Sequence, residues 1–256
     1  MTAVDVHAEA IGPEDAPALV LAGSLGATLA MWDRVTPLLA ERLRVIRYDA
    51  RGHGRSPVPE GPYEMADLGG DVVALLDRLG LERASFCGLS VGGMVAQWLG
   101  ANAPERIDRL VVCCAASHVP DGGFLERAAA VREAGGTARI AEPIVGRWLT
   151  PAFAAANPEL HEWLLEMLIS SPAEGYAATC EAIGTMDLRA DRARITAPTL
   201  VIGAQQDQSL PVPLSREIAA AVPGARLEVL DPGAHLVAVE RPEATAALIL
   251  EHLAPA

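Results

Sequence analysis

A serine set between two glycines, Gly88-Leu89-Ser90-Val91-Gly92, is the strongest chemical signal in this 256-residue chain. The apolar run Ala84-Ser-Phe-Cys87 leads into it, and a helical pattern from Val91 to Asn102 follows. A sharp strand-to-helix turn puts the serine in strained backbone geometry with its hydroxyl raised out of the sheet. Only small residues fit two positions before and after it, at Gly88 and Gly92. The N-terminus of the helix aims free N–H groups at the same point, where they favour developing negative charge. A phosphate-cradling loop is the rival reading of such a turn, but the Lys it requires is missing.

A serine hydroxyl is a weak nucleophile at neutral pH. It needs a neighbouring base, and the base needs a carboxylate that fixes its tautomer. For a nucleophile on this kind of turn the chain order is serine, acid, histidine. Of the six histidines, His161, His235 and His252 lie well downstream. His161 falls in a helical stretch and His252 near the end of the last helix. His235 sits in Asp231-Pro-Gly-Ala-His235, a loop just after the last expected strand. Chemistry in parallel-sheet folds collects in such loops, so His235 is the expected base. Asp207, in the loop Gly203-Ala-Gln-Gln-Asp207 after the strand Thr199 to Ile202, is the expected acid. Asp231 is the rival; four residues before His235, it is better suited to shaping the turn. The oxyanion donors are expected to be the backbone N–H groups of Val91 and of Leu25, in the loop Gly23-Ser24-Leu25-Gly26.

These loops need a sheet to hold them. Ala18–Ala22, Arg44–Tyr48, Ala84–Cys87, Leu110–Cys114, Thr199–Ile202 and Arg226–Leu230 read as short buried strands separated by helical patterns. That alternation predicts βαβ units and a mostly parallel α/β sheet. From Ala66 to Leu79, apolar Leu68, Val72, Leu75, Leu76 and Leu79 recur at helical spacing. Residues 117–191 break the alternation: they are Ala-rich, helical in pattern and interrupted by Pro143, Pro151, Pro158 and Pro172. The expected organisation is one core domain, 1–116 with 192–256, carrying an inserted helical cap over 117–191.

Composition narrows the partners. Asp plus Glu (33) outnumber Lys plus Arg (20), giving a formal net charge of −13. Nucleic-acid binding needs a basic footprint, and an acidic surface also repels anionic membranes. No apolar run reaches the roughly 18–20 residues of a bilayer span, and the first residues do not resemble a signal peptide. Cys87, Cys113, Cys114 and Cys180 form no C-x-x-C pair, and three of them sit in apolar runs. Buried, reduced thiols in a cytoplasmic protein are expected. No metal-ligand cluster is visible, and the oligomeric state is not encoded in any motif.

The chain resembles the 3-oxoadipate enol-lactonases of aromatic-compound catabolism, within the α/β-hydrolase superfamily. The likeness runs along nearly the whole chain. It is carried by Gly23-Ser-Leu-Gly with Met31-Trp-Asp33, by Arg47-Tyr-Asp-Ala-Arg-Gly-His-Gly-Arg-Ser56 and by Phe86-Cys-Gly-Leu-Ser-Val-Gly-Gly-Met94. Ala101-Asn-Ala-Pro-Glu-Arg106 and Ala197-Pro-Thr-Leu-Val-Ile202 extend it. Arg147-Trp-Leu-Thr-Pro-Ala-Phe153 and Gly175-Tyr-Ala-Ala-Thr-Cys180 are its more specific parts. The segment around His53 is shared widely in the superfamily, which makes His53 a loop-shaping residue. Gly23 stands where relatives usually carry Asn, and Val91 where Met commonly follows the nucleophile; both departures are expected to alter the pocket wall.

The resemblance implies a small-molecule lactone or ester as substrate, an acyl-enzyme on Ser90 and no metal or organic cofactor. The same triad on another lactone, ester or C–C bond is the alternative. The lactone carries a carboxylate, so a net-acidic protein must offer a local cation. Arg132, Arg139 and Arg147 are the candidates, and the resemblance favours Arg147 with its neighbour Trp148.

Overall fold

The computed structural model describes residues 1–119 and 123–254. Its frame is a seven-stranded sheet: β1 (Ala8–Ile11), β2 (Ala18–Ala22), β3 (Arg44–Tyr48), β4 (Ala84–Leu89), β5 (Ile107–Cys113), β6 (Thr199–Ala204) and β7 (Arg226–Leu230). The spatial order is β1-β3-β2-β4-β5-β6-β7. Every neighbouring pair is parallel except β1 with β3, where Ala8 faces Tyr48 and Ile11 faces Val45.

Sequence pattern located six of these strands. It missed β1, which is four residues long, half-exposed and at the sheet edge. An edge strand with one wet face lacks the continuous apolar run that marks a buried parallel strand.

Helices fill the crossovers. They are α1 (Thr36–Ala40), α2 (Met65–Arg78), α3 (Val91–Asn102), α4 (Phe124–Ala134), α5 (Ala138–Val145), α6 (Pro151–Ala156), α7 (Pro158–Ile169), α8 (Ala173–Thr185), α9 (Val212–Ala221), α10 (Val237–Glu240) and α11 (Pro242–Leu253). Helix α2 buries Leu68, Val72, Leu75 and Leu76, the stripe that its spacing predicts, and opens with a capping box between Glu64 and Asp67. Helix α3 packs on β4 and β5, and α9 packs on β6 and β7.

Among the described residues, five helices, α4 to α8, lie between β5 and β6. At their base the Leu188 N–H donates to the Ser117 carbonyl at 2.7 Å, and His118 bridges Asp187. The prolines set helix starts rather than breaking helices. Pro151 and Pro158 open α6 and α7, Pro172 precedes α8, and Pro143 alone lies inside a helix, α5. A proline in the first turn loses no hydrogen bond, because its missing N–H would have had no partner.

The strand order determines where chemistry collects. From β2 the chain moves to β3 on one side and then returns to β4 on the other. A crevice opens at such a reversal, at the carboxyl ends of the two central strands. Strand β2 ends at Ala22 and β4 at Leu89, so this crevice receives Gly23 to Gly26 and Ser90. No helix of the described residues is long and apolar enough to cross a membrane.

Candidate active site

Ser90 has φ 60° and ψ −117°, a conformation costly for any residue with a side chain. The neighbouring glycines make it sterically possible. A Cβ on Gly88 would lie 1.9 Å from the Gly92 carbonyl oxygen, and one on Gly92 would lie 2.4 Å from the Ala22 oxygen. Two hydrogen bonds lock the turn into the sheet: the Ser90 N–H donates to the Cys113 carbonyl at 2.9 Å, and the Gly92 N–H to the Gly23 carbonyl at 3.1 Å.

These bonds leave a pair of donors. Around Leu25, the Ser24 N–H points to Met31 Sδ at 3.2 Å and the Gly26 N–H donates to His53 Nε2 at 3.0 Å. Among the described residues the N–H groups of Leu25 and Val91 have no acceptor. Unpaired buried N–H groups are rare, and two of them flanking a nucleophile fit a site for developing negative charge.

The loops after β6 and β7 bring in the other two groups. His235 Nδ1 and Asp207 Oδ2 are 2.9 Å apart, and both side chains are buried. A carboxylate only accepts, so the Nδ1 carries the proton and Nε2 keeps its lone pair. Asp207 is itself held, because its Oδ1 accepts the N–H groups of Ser209 and Leu210 at 2.8 and 2.9 Å. Asp231, the rival acid, is exposed. Beside Asp207 lies Cys114, whose thiol is pushed well above its usual pKa by burial first and by the Asp207 charge second.

Ser90 and His235 line one cavity of about 160 Å³. No hydrogen bond joins the two side chains directly; such bonds commonly tighten only when substrate is present. Leu25, Arg147 and Trp148 line the same cavity. Three other histidines lie away from the cavity: His118 faces the Met186 carbonyl, His161 faces Glu142, and His252 faces the Pro198 carbonyl.

The His235 loop is tied to the turn before α6. The Leu236 N–H donates to the Trp148 carbonyl at 2.9 Å. Glu240, 5% exposed, accepts the Ala234 N–H and the Thr150 N–H, each at 3.1 Å, and the Thr150 hydroxyl. The peptides on both sides of His235 thus end on residues 148–150.

Of the three arginines the sequence offered, the cavity takes the favoured one, and it adds a fourth. Arg132 is engaged by Glu174 and Glu181, and Arg139 is exposed and does not line the cavity. Arg147 does line it, and so does Arg127, which sequence reasoning missed. Neither of these two has a carboxylate partner among the described residues. The Arg127 guanidinium lies over the Phe124 ring, 4.7 Å from its centre. It also faces Tyr176, whose hydroxyl is pushed up to about 12 by burial, against the pull of the Arg127 charge.

The two departures from the enol-lactonase pattern, Gly23 and Val91, are chain neighbours of the lining residues Ser24 and Ser90 rather than lining residues themselves. Gly23 and Val91 line a separate void of about 10 Å³ with Tyr48, Arg51 and Thr179. At Gly23 the space a Cβ would need is filled by Met31, whose Sδ lies 2.9 Å from it.

Known proteins resemble this chain along most of its length. 3-Oxoadipate enol-lactonase 2 of Acinetobacter baylyi is 40% identical over 95% of this chain and 92% of its own length. RutD of Caulobacter sp. (strain K31) is 33% identical over 94% and 92%. The crystal structure of the enol-lactonase from Burkholderia xenovorans LB400 superposes with a TM-score of 0.94 at 36% identity, covering 97% of this chain and 96% of that one. Residues 17–242 match the family model for the alpha/beta hydrolase fold, and with this sheet order and serine turn the chain belongs to the α/β-hydrolase family.

Proposed function

We propose that this hydrolase opens the ring of 3-oxoadipate enol-lactone to give 3-oxoadipate in the catabolism of aromatic compounds, through an acyl-enzyme on Ser90. The observation that carries the reading is the convergence on one cavity of Ser90, His235 backed by Asp207, and the Leu25 loop. Likeness to two enol-lactonases over nearly the whole chain supports the substrate.

Ser90 Oγ attacks the ring carbonyl while His235 Nε2 takes its proton. The oxyanion is held by the N–H groups of Leu25 and Val91. Collapse of the adduct breaks the ring C–O bond, and His235 returns the proton to the leaving enol, which tautomerises to the ketone. A water then gives its proton to His235 and attacks the acyl carbon, releasing the new carboxylate and restoring Ser90. Asp207 holds the imidazole in the required tautomer and stabilises its charged form.

Residues 117–191 act as a cap that shields this chemistry from water and supplies recognition. Arg147 and Arg127 receive the substrate carboxylate, with Trp148 packing beside it. The cavity is smaller than the about 300–1,000 Å³ of drug-sized sites, which suits a small lactone. Four buried, unpaired cysteines support a reducing compartment, the cytoplasm.

The test is turnover of the enol-lactone, generated in situ and followed by its ultraviolet absorbance, with Ser90→Ala alongside. Rapid turnover that Ser90→Ala abolishes is the expected result. A fold does not fix its substrate, and RutD, a relative at 33% identity, is named for carbamate hydrolysis; the second reading is therefore that the same triad acts on another lactone, a carboxylic ester or a C–C bond. Ser90-dependent hydrolysis of a p-nitrophenyl ester without lactone turnover would select it.

A further inference from the structure

The loop that carries Leu25 leans on a buried histidine that no step above uses. His53 is 2% exposed. Its Nδ1 faces the Arg51 carbonyl at 3.1 Å, and its Nε2 receives the Gly26 N–H at 3.0 Å. A carbonyl only accepts, so Nδ1 carries the proton and Nε2 is the lone-pair side. The Gly26 contact needs a neutral ring, since a protonated Nε2 could not accept. Burial lowers the His53 pKa below its usual value, against opposing contributions from the Arg51 carbonyl and the Asp49 charge.

The Gly26 peptide has little freedom otherwise. Its φ is +79°, and a Cβ there would lie 2.3 Å from Leu168 Cδ1 on α7. The Ser171 hydroxyl donates to its carbonyl at 3.2 Å, and the Ala27 N–H closes back on the Ser24 carbonyl at 3.0 Å. The His53 loop is equally fixed. The Gly52 N–H donates to the Pro57 carbonyl at 2.8 Å and the His53 N–H to the Ala50 carbonyl at 2.9 Å.

We infer that His53 is a positioning residue: by accepting the Gly26 N–H it fixes the adjoining Leu25 N–H where the acyl oxyanion forms. The inference rests on the serine-hydrolase reading and adds to it the group that sets its oxyanion donor. A His53 that merely fills space would affect stability and ground-state binding alike. A positioning His53 affects the tetrahedral state selectively.

Two conservative variants separate the two contacts of the ring. In His53→Asn the short amide can still donate to the Arg51 carbonyl but does not reach Gly26. In His53→Gln the longer amide places an oxygen near the Nε2 position and can accept the Gly26 N–H. Each is measured for kcat/KM on a p-nitrophenyl ester, for thermal unfolding and for fluorophosphonate labelling of Ser90. Each is also measured for inhibition by a trifluoromethyl ketone, which forms an oxyanion adduct, and by the methyl ketone of the same shape, which does not. Loss of one oxyanion donor costs about 10²–10³ in rate, and a displaced donor less. The expected result for His53→Asn is therefore about a 10- to 100-fold loss in kcat/KM, matched by weaker trifluoromethyl ketone binding with methyl ketone binding unchanged.

His53→Gln is expected to recover most of that loss. Equal losses for both ketones, or a His53→Asn enzyme as active as wild type, would overturn the inference. So would a His53→Gln enzyme no better than His53→Asn at matched folded fraction. Wild-type protein without Ser90-dependent esterase activity would instead overturn the serine-hydrolase reading, and the inference with it. A wild type active on the ester but not on the enol-lactone changes only the substrate.

Discussion

Replacing Asp207 by Asn tests the proposed triad most sharply, because the two oxygens of Asp207 have separate tasks. Oδ1 accepts the Ser209 and Leu210 N–H groups, and Oδ2 faces His235 Nδ1. An asparagine oxygen can still serve the two loop N–H groups. Its NH₂ must then face Nδ1 and donate to it, which forces the imidazole proton onto Nε2. A protonated Nε2 cannot take the Ser90 proton. In serine hydrolases generally this tautomer error costs about 10⁴ in kcat, or about 5.5 kcal/mol in the barrier.

The fold should hardly notice Asp207→Asn, since one neutral hydrogen bond is worth about 1 kcal/mol. Asp207→Ala is different. It strips the acceptor from two N–H groups, one of them on buried Leu210, and a buried orphan costs about 1–3 kcal/mol. The experiment measures kcat on the lactone or a p-nitrophenyl ester together with thermal unfolding for both variants, and for Asp231→Asn as a control at the exposed rival. Asp207→Asn should be nearly as stable as wild type and about 10⁴ slower, Asp207→Ala slow and less stable, and Asp231→Asn unchanged. An Asp207→Asn enzyme within tenfold of wild type would refute the assignment of the acid, and loss of activity in Asp231→Asn would transfer it.

Three further outcomes follow from other contacts. Glu240→Ala leaves the Ala234 and Thr150 N–H groups without their acceptor, so unfolding should cost about 2–4 kcal/mol less, with kcat reduced because the His235 loop is released; unchanged thermal stability would refute this account. Arg127→Met and Arg147→Met should each raise KM for the carboxylate-bearing lactone about tenfold, the scale of one charge-assisted hydrogen bond, while leaving KM for neutral p-nitrophenyl acetate alone; equal effects on both substrates would rule out carboxylate recognition. His53 has a lowered pKa in the folded state, so below pH 6.5 the unfolded chain binds the proton first and stability falls as the pH drops toward the folded value. Denaturant unfolding at pH 7.5 and 5.5 should therefore show a smaller drop in His53→Gln than in wild type, the remainder including His252, whose pKa burial also lowers.

What the sequence revealed and what it hid have a common physical basis. The serine turn was legible because its requirements are local: a strained residue, no room for Cβ at Gly88 or Gly92, and a strand and helix on either side. Asp207 and His235 could be named as candidates because strand ends in a parallel sheet fall on one edge. Their 2.9 Å contact was not in the sequence, but its two participants were. Strand β1 was missed because Ala8-Glu-Ala-Ile11 draws on Arg47 and Arg55 of neighbouring segments, through Glu9, rather than on burial. Arg127 was missed because α4 carries charge on several faces, with Glu126, Arg127, Arg132 and Glu133 close together. Which face meets the cavity is decided by how α4 docks against α8, a contact about fifty residues apart in sequence that no local pattern encodes.

The helices inserted after β5 are bound to both halves of the proposed machinery, and this affects how their removal should be interpreted. On the oxyanion side, Ser171 holds the Gly26 carbonyl and Leu168 fills the space above it. On the base side, the Trp148 carbonyl and Thr150, through Glu240, hold the peptides flanking His235. A lid that only covered a finished site could be cut away at the cost of substrate affinity and water exclusion alone. Here the cut would also free the Leu25 loop and the His235 loop, so transition-state stabilisation would be lost together with recognition. Under the proposed role of Trp148, substrate contacts there would reach the His235 loop through the Leu236 N–H bond to the Trp148 carbonyl. The coupling also predicts that variants at the tethering residues Thr150 and Ser171 lower kcat even for small neutral esters that make few contacts with the insertion.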